Sequence, residues 1–151
     1  MIEIHKLSPN EFWAQAGVEA LIDAYADECA LAGLPRPAPD RDLYDDMNTF
    51  GALRVFGAFR DDTIIGFAVL LVSPNLHYGI LLATMESLFV AKGQRSTGAG
   101  LMLLRQAEQA ARDAGAQAFL VCAPVGSSLE KILTQSTSFR ETNRVFCKGL
   151  A

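Results

Sequence analysis

The chain has 151 residues, half of them hydrophobic and a fifth charged, with a net charge of −4. That length suits one domain spanning 1–151, which buries about two-thirds of its unfolded surface and needs no disulfide staple. The acidic balance and the lack of a basic stripe among aromatics argue against a nucleic-acid partner, and the apolar runs Ile64 to Val72 and Ile80 to Met85 are too short for a membrane span. Cys29, Cys122 and Cys147 are odd in number and lack metal-ligand spacing, so no metal site is expected. With no basic segment followed by an apolar stretch at the N-terminus, the cytoplasm is the expected compartment. Charge is uneven: residues 1 to 50 carry ten acids against Lys6, Arg36 and Arg41, or −7, and the rest carries seven acids against ten bases, or +3.

Ile2 to Leu7 alternates as a strand, and Ser8-Pro9-Asn10-Glu11 has the pattern of a capping box with proline at the first helical position. The helix that follows presents Ala14, Val18, Leu21, Tyr25 and Cys29 on one face, and Gly33 with Pro35, Pro37 and Pro39 ends it. Asp40 is placed to cap a second helix bearing Leu43, Met47 and Phe50. Leu53 to Phe59 and Thr63 to Val72 read as a hairpin about Arg60-Asp61-Asp62, and a turn at Ser73-Pro74-Asn75 leads to a strand from about Tyr78 to Val90. Residues 101 to 114 repeat apolar side chains at Leu101, Leu104, Ala107, Ala111 and Ala114, which is helical spacing, and Gly115 stops them. Gln117 to Ala123 is another strand, Ser127 or Ser128 starts a short helix to about Leu133, and Asn143 to Gly149 forms a closing strand.

Between the fourth strand and the long helix stands Arg95-Ser96-Thr97-Gly98-Ala99-Gly100. Glycines there let backbone approach a ligand closely, and the first turn of a helix offers unpaired N–H donors at the positive end of its dipole, so a phosphate or pyrophosphate fits. Gly93 and Gly98 have P-loop spacing, but Ala99-Gly100 occupy the places of the Lys and the Ser or Thr that such a loop requires. The glycine order also departs from the dinucleotide fingerprint. What fits is Arg or Gln, two residues, Gly, one residue, then Gly or Ala, after an apolar strand ending in valine: Leu88-Phe89-Val90, then Arg95, Gly98 and Gly100.

With that motif and this order of elements, most of the chain resembles the GNAT superfamily of acyl-CoA-dependent N-acyltransferases. The resemblance implies a mixed α/β fold with a mostly antiparallel central sheet, helices on both faces, and a splayed strand pair, ending near Val90 and Ala123, that admits the pantetheine arm. It implies acetyl-CoA as co-substrate, pantetheine contacts along Leu88, Phe89 and Val90, and a pyrophosphate cradle made of Arg95, Ser96, Thr97, Gly98, Ala99, Gly100 and Leu101. A backbone bulge at Leu88 or Phe89 would aim an N–H at the thioester. A homodimer is compatible with the same reading.

Transfer of an acyl group to an amine needs a base for the amine, polarisation of the carbonyl and an acid for the leaving thiolate. Glu86 is the only charged residue from Gly79 to Val90, and strand alternation puts it on the face of Leu88 and Val90, where apolar burial would raise its basicity. It is the expected catalytic base. The family's usual Tyr acid is missing: anchoring on Phe139 puts Thr134 in its place, Ser127 where Asn is expected and Ser138 where Gly is expected. Solvent, the hydroxyls of Thr134, Ser136 or Thr137, or a tyrosine from elsewhere, Tyr25 or Tyr78, would have to supply the proton. His5 and His77 have no credible nucleophile beside them in sequence, so a triad has no support. The expected function is acetyl transfer from acetyl-CoA to a primary amine of a small cationic metabolite or a peptide, by direct attack in a ternary complex. The alternative is a non-catalytic acyl-CoA-binding module that has lost its acid.

Overall fold

The computed structural model describes residues 1–150. In chain order its elements are β1 (Ile2–Leu7), α1 (Pro9–Trp13), α2 (Val18–Glu28), α3 (Arg41–Thr49), β2 (Leu53–Arg60), β3 (Thr63–Asn75), β4 (Ile80–Val90), a 3-10 segment (Lys92–Thr97), α4 (Ala99–Asp113), β5 (Ala118–Val121) and α5 (Ser128–Gln135). The five strands lie in the order β1-β2-β3-β4-β5. Neighbours are antiparallel except β4 and β5, which run parallel. This is the expected mixed, mostly antiparallel sheet. No helix among the described residues is long and apolar enough to cross a membrane.

Each face of the sheet is buried by different helices. Leu103, Leu104, Ala107 and Ala111 of α4 pack on Phe56, Ala58, Ala68, Leu70, Ala83 and Met85. On the other face, Phe12, Val18, Leu21 and Ile22 from α1 and α2 pack on Val55, Phe67, Val69 and Phe89. Alternation along β2 and β3 feeds both layers, and these two strands are buried over most of their length.

The local signals act as their chemistry requires. Ser8 Oγ accepts from Glu11 N–H at 3.2 Å while Glu11 accepts from Ser8 N–H at 2.7 Å, completing the capping box. Asp40 accepts from the N–H groups of Asp42 and Leu43, and Ser127 from that of Glu130.

Four expectations are corrected. The first helix is two, because Gly17 takes a left-handed φ of +87° and breaks the ladder; Ala14 is thereby exposed, and Phe12 turns into the core. On α3 the packed positions are Tyr44 and Met47, while Leu43 and Phe50 are exposed. β3 runs on through Ser73, Pro74 and Asn75, which pair with Leu82, Leu81 and Ile80, so the turn falls after them. Residues 143 to 149 form no strand; Val145 and Phe146 are exposed, and Gly149 lies against the Gly33 carbonyl instead of beside β5.

Candidate active site

β5 pairs with β4 only from Leu82 opposite Ala118 to Met85 opposite Val121. Beyond Met85 the last five residues of β4, Glu86 to Val90, have no strand on that side, which is the expected splay. On the β3 side Val69 faces Ser87 and Leu70 faces Met85, so Glu86 is the extra residue of a β-bulge. The bulge was expected at Leu88 or Phe89; it lies two residues or more earlier. Glu86 is therefore the residue at which β4 has lost its partner on both sides.

The bulge also resets the alternation. Ala83 and Met85 before it, and Leu88 and Val90 after it, all join the α4 cluster, whereas Phe89 joins the opposite one. One expectation about Glu86 fails: its side chain is exposed instead of buried. An extra residue in a strand changes side-chain parity, which alternation alone cannot anticipate.

Two phenols, Tyr25 and Tyr44, feel the charge of Glu86. Tyr25 of α2 stands edge-on to Phe67 at 5.4 Å and to Phe89 at 5.7 Å. Tyr44 of α3 stacks at a tilt on Trp13 at 5.3 Å, and Arg41 caps Trp13 at 4.7 Å. Burial pushes the Tyr44 phenol up to about 12; Tyr25 and the Glu86 charge add to the rise and the Ser87 hydroxyl opposes it. Burial also raises the Tyr25 phenol, with Cys29 and Glu86 adding and Ser87 opposing. Ser87, buried and next to Glu86 in β4, is close enough to both phenols to oppose their rise. The Trp13 indole nitrogen is buried with no hydrogen-bond partner among the described residues.

The cradle follows directly. Gly98 sits at φ +82° and ψ 1°, a conformation costly for any residue with a Cβ, and it turns the 3-10 segment into α4. Thr97 Oγ1 donates to the Gln94 carbonyl at 2.6 Å and accepts from Ala99 N–H at 3.3 Å. The first bond closing onto this turn is Met102 N–H to Gly98 carbonyl, so Gly100 and Leu101 N–H groups belong to the unpaired first turn of the helix. A Cβ on Gly98 would meet nothing within 4 Å, and one on Gly100 only Val90 Cγ2 at 3.6 Å. Open space in front of unpaired donors suits a phosphate group. Ser96 and Leu101 are exposed beside it, and Ala99 is buried beneath it. The Arg95 guanidinium donates from Nε to the Val90 carbonyl at 3.0 Å and from Nη2 to Glu28 at 2.5 Å, and lies 5.4 Å above the Phe89 ring.

The sequence profile of the Acetyltransferase (GNAT) family matches residues 18–127, a span that runs from α2 past the cradle and β5. The chain belongs to the GNAT acetyltransferase family. Among solved structures it is similar to a GNAT-fold aminoglycoside acetyltransferase from an uncultured soil metagenomic sample, with a TM-score of 0.75 and 18% identity over 99% of this chain and 97% of that one. It is similar also to the ribosomal-protein-alanine N-acetyltransferase of Brucella melitensis biovar Abortus 2308, at 0.68 and 18% over 99% and 100%. A transcriptional regulator from Bacillus halodurans C-125 matches at 0.65 and 16% over 97% and 100%. At such identities the likeness is one of fold. No curated protein matches the sequence.

Within this GNAT fold the remaining candidates separate clearly. Tyr78 is exposed in the turn before β4, and six residues of strand, about 20 Å, lie between it and Glu86. His77 packs beside Tyr78, and His5 pairs with Glu3 on β1. Thr134 and Thr137 are exposed at the end of α5 and just beyond it, and Ser136 bonds Ser138. Tyr44 and Ser87 were missed. Their signal was present: Tyr44 is three positions before Met47, and Ser87 is the one small polar residue in an otherwise apolar strand end.

Proposed function

We propose that this GNAT chain transfers an acetyl group from acetyl-CoA to a primary amine by direct attack in a ternary complex. The observation that carries this reading is the position of Glu86, at the bulge where β4 loses both neighbours, one short 3-10 segment from the unpaired N–H groups of Gly100 and Leu101. Acetyl-CoA supplies the activated acyl thioester. Gly98, Ala99, Gly100 and Leu101 hold its pyrophosphate through the backbone, and Leu88 and Val90 border the gap beside α4. Exposed Glu86 accepts the proton of the incoming amine directly or through one water. Tyr25 is the phenol that the fold brings to this point and the proposed proton donor; its raised pKa keeps it protonated at neutral pH. Tyr44, pushed up to about 12 by burial, is the poorer acid.

The acceptor is a cationic small molecule or a basic peptide, approaching over α2 and α3. The similar proteins named for aminoglycoside and ribosomal-protein acetylation act on acceptors of these two kinds. The acidic side is smaller than its charge count implies, since Arg36 pairs with Asp23 and Asp27, and Arg41 with Glu19. Asp42, Asp45 and Asp46 of α3 remain to attract a cation. The non-catalytic alternative draws on Thr134 in place of the usual Tyr, and Tyr25 weakens it. Release of free CoA measured across matched cationic, neutral and anionic amines is the test. Turnover that favours the cationic set and falls with salt is expected; a preference for anionic amines removes the acceptor reading, and no release with any amine favours the binding module.

A further inference from the structure

Two cations stand at or just before the cradle, Lys92 and Arg95, and Arg95 is already paired. Glu28, the last residue of α2, accepts from Arg95 Nη2. The hydrogen bond and charge of Arg95, with the charge of Lys92, hold the Glu28 carboxyl below its usual range even though partial burial opposes this. The pair is about half exposed at both ends, so it is reachable by solute. No such pairing is implied by the cradle motif, which would leave its first residue to face a phosphate.

We infer that Glu28 competes with the phosphates of the bound nucleotide for Arg95, and so sets the affinity and residence time of the cofactor at this cradle. The inference rests on the reading of residues 95 to 101 as a pyrophosphate site. A guanidinium has five donors; Arg95 commits Nε to the Val90 carbonyl and part of Nη2 to Glu28. A phosphate drawing on the remaining donors meets a carboxylate already on the same group, and like charges sharing one cation repel. Glu28 therefore weakens binding of an anion while keeping the cradle cations neutralised in its absence. An enzyme that must release CoA after each turnover gains from a carboxylate that reclaims the arginine.

The test is calorimetric titration of the intact chain with acetyl-CoA, paired with stopped-flow dissociation, for the wild type, Glu28→Gln, Arg95→Gln, the double variant and Glu19→Gln. An exposed ion pair contributes too little for its loss to threaten the fold, and melting curves check this. Glu28→Gln is expected to bind about two- to fivefold more tightly at low salt, mostly through slower dissociation, with the gain fading at high salt. Most of the gain should vanish in the Arg95→Gln background. Glu19→Gln removes the same charge about 14 Å away along α2 and should leave affinity unchanged. Equal or weaker binding by Glu28→Gln, or an equal gain from Glu19→Gln, overturns the inference and leaves Glu28 as scaffolding. A wild type that does not bind acetyl-CoA overturns the cofactor reading beneath it.

Discussion

Two glycines two residues apart in one motif should fail in different ways, because only one of them has a backbone that requires glycine. Gly98 lies at φ +82° with open space around its absent Cβ. An alanine there meets no atom but must occupy the left-handed region, at about 1–2 kcal/mol. For a chain of this size each kcal/mol moves Tm by about 2–4 °C, so Gly98→Ala should melt about 2–8 °C lower. Gly100 is inside the first turn of α4 at an ordinary φ, and its Cβ would touch Val90 Cγ2 at 3.6 Å, a normal contact. Gly100→Ala should gain about 0.5–1 kcal/mol of helix stability. Gly100→Val should stay within about 1 kcal/mol of the wild type in stability, since valine's helix propensity still exceeds that of glycine. Its γ-methyls would enter the space before the unpaired N–H groups, and acetyl-CoA affinity should fall on the order of tenfold, about 1.4 kcal/mol. Thermal melts and calorimetry on the three variants check this. A Gly98→Ala protein that melts with the wild type refutes the backbone argument, and a folded Gly100→Val protein with unchanged affinity refutes the cradle.

Tyr44 carries a pH prediction with a definite sign. Its phenol rises from 10.0 to about 12 in the folded protein, so the stability of the buried neutral phenol is complete below pH 10 and is lost as pH climbs toward 12. Melting followed across that window should fall less steeply for Tyr44→Phe than for the wild type, by on the order of 2 kcal/mol in total; parallel curves would contradict the burial assigned to it. Tyr25→Phe should keep acetyl-CoA affinity within about twofold and lower kcat about tenfold, the lower range for a positioned acid that water partly replaces. Unchanged kcat would assign the proton to solvent.

The sequence announces its punctuation well, because caps and breakers act through one or two hydrogen bonds: Ser8 with Glu11, Asp40, Ser127 and Gly115 all stand where expected. The glycine turn into α4 was legible for the same reason, being a contiguous run whose geometry is set by its backbone. Long-range facts were not. The bulge at Glu86 depends on how β3 and β4 register over ten pairs, and it puts Ala83 and Met85 on the same layer as Leu88 and Val90. α3 turns Tyr44 and Met47, not Leu43 and Phe50, toward the core, where Tyr44 packs on Trp13. Arg95 was expected to face solvent and phosphate, and its pairing with Glu28 joins residues 67 positions apart. The closing strand rested on alternation at Val145 and Cys147, and the sheet offers it only a four-residue edge, β5, to pair with.

The central claim is that Glu86, at the break in β4, takes the proton from the amine. The direct measurement is turnover of Glu86→Gln against the wild type with the best amine at pH 7, beside acetyl-CoA affinity for both. The account predicts a loss of about 10²-fold or more in kcat with unchanged cofactor affinity, shrinking as pH rises and free amine becomes abundant. A Glu86→Gln protein that turns over normally at pH 7 would contradict it.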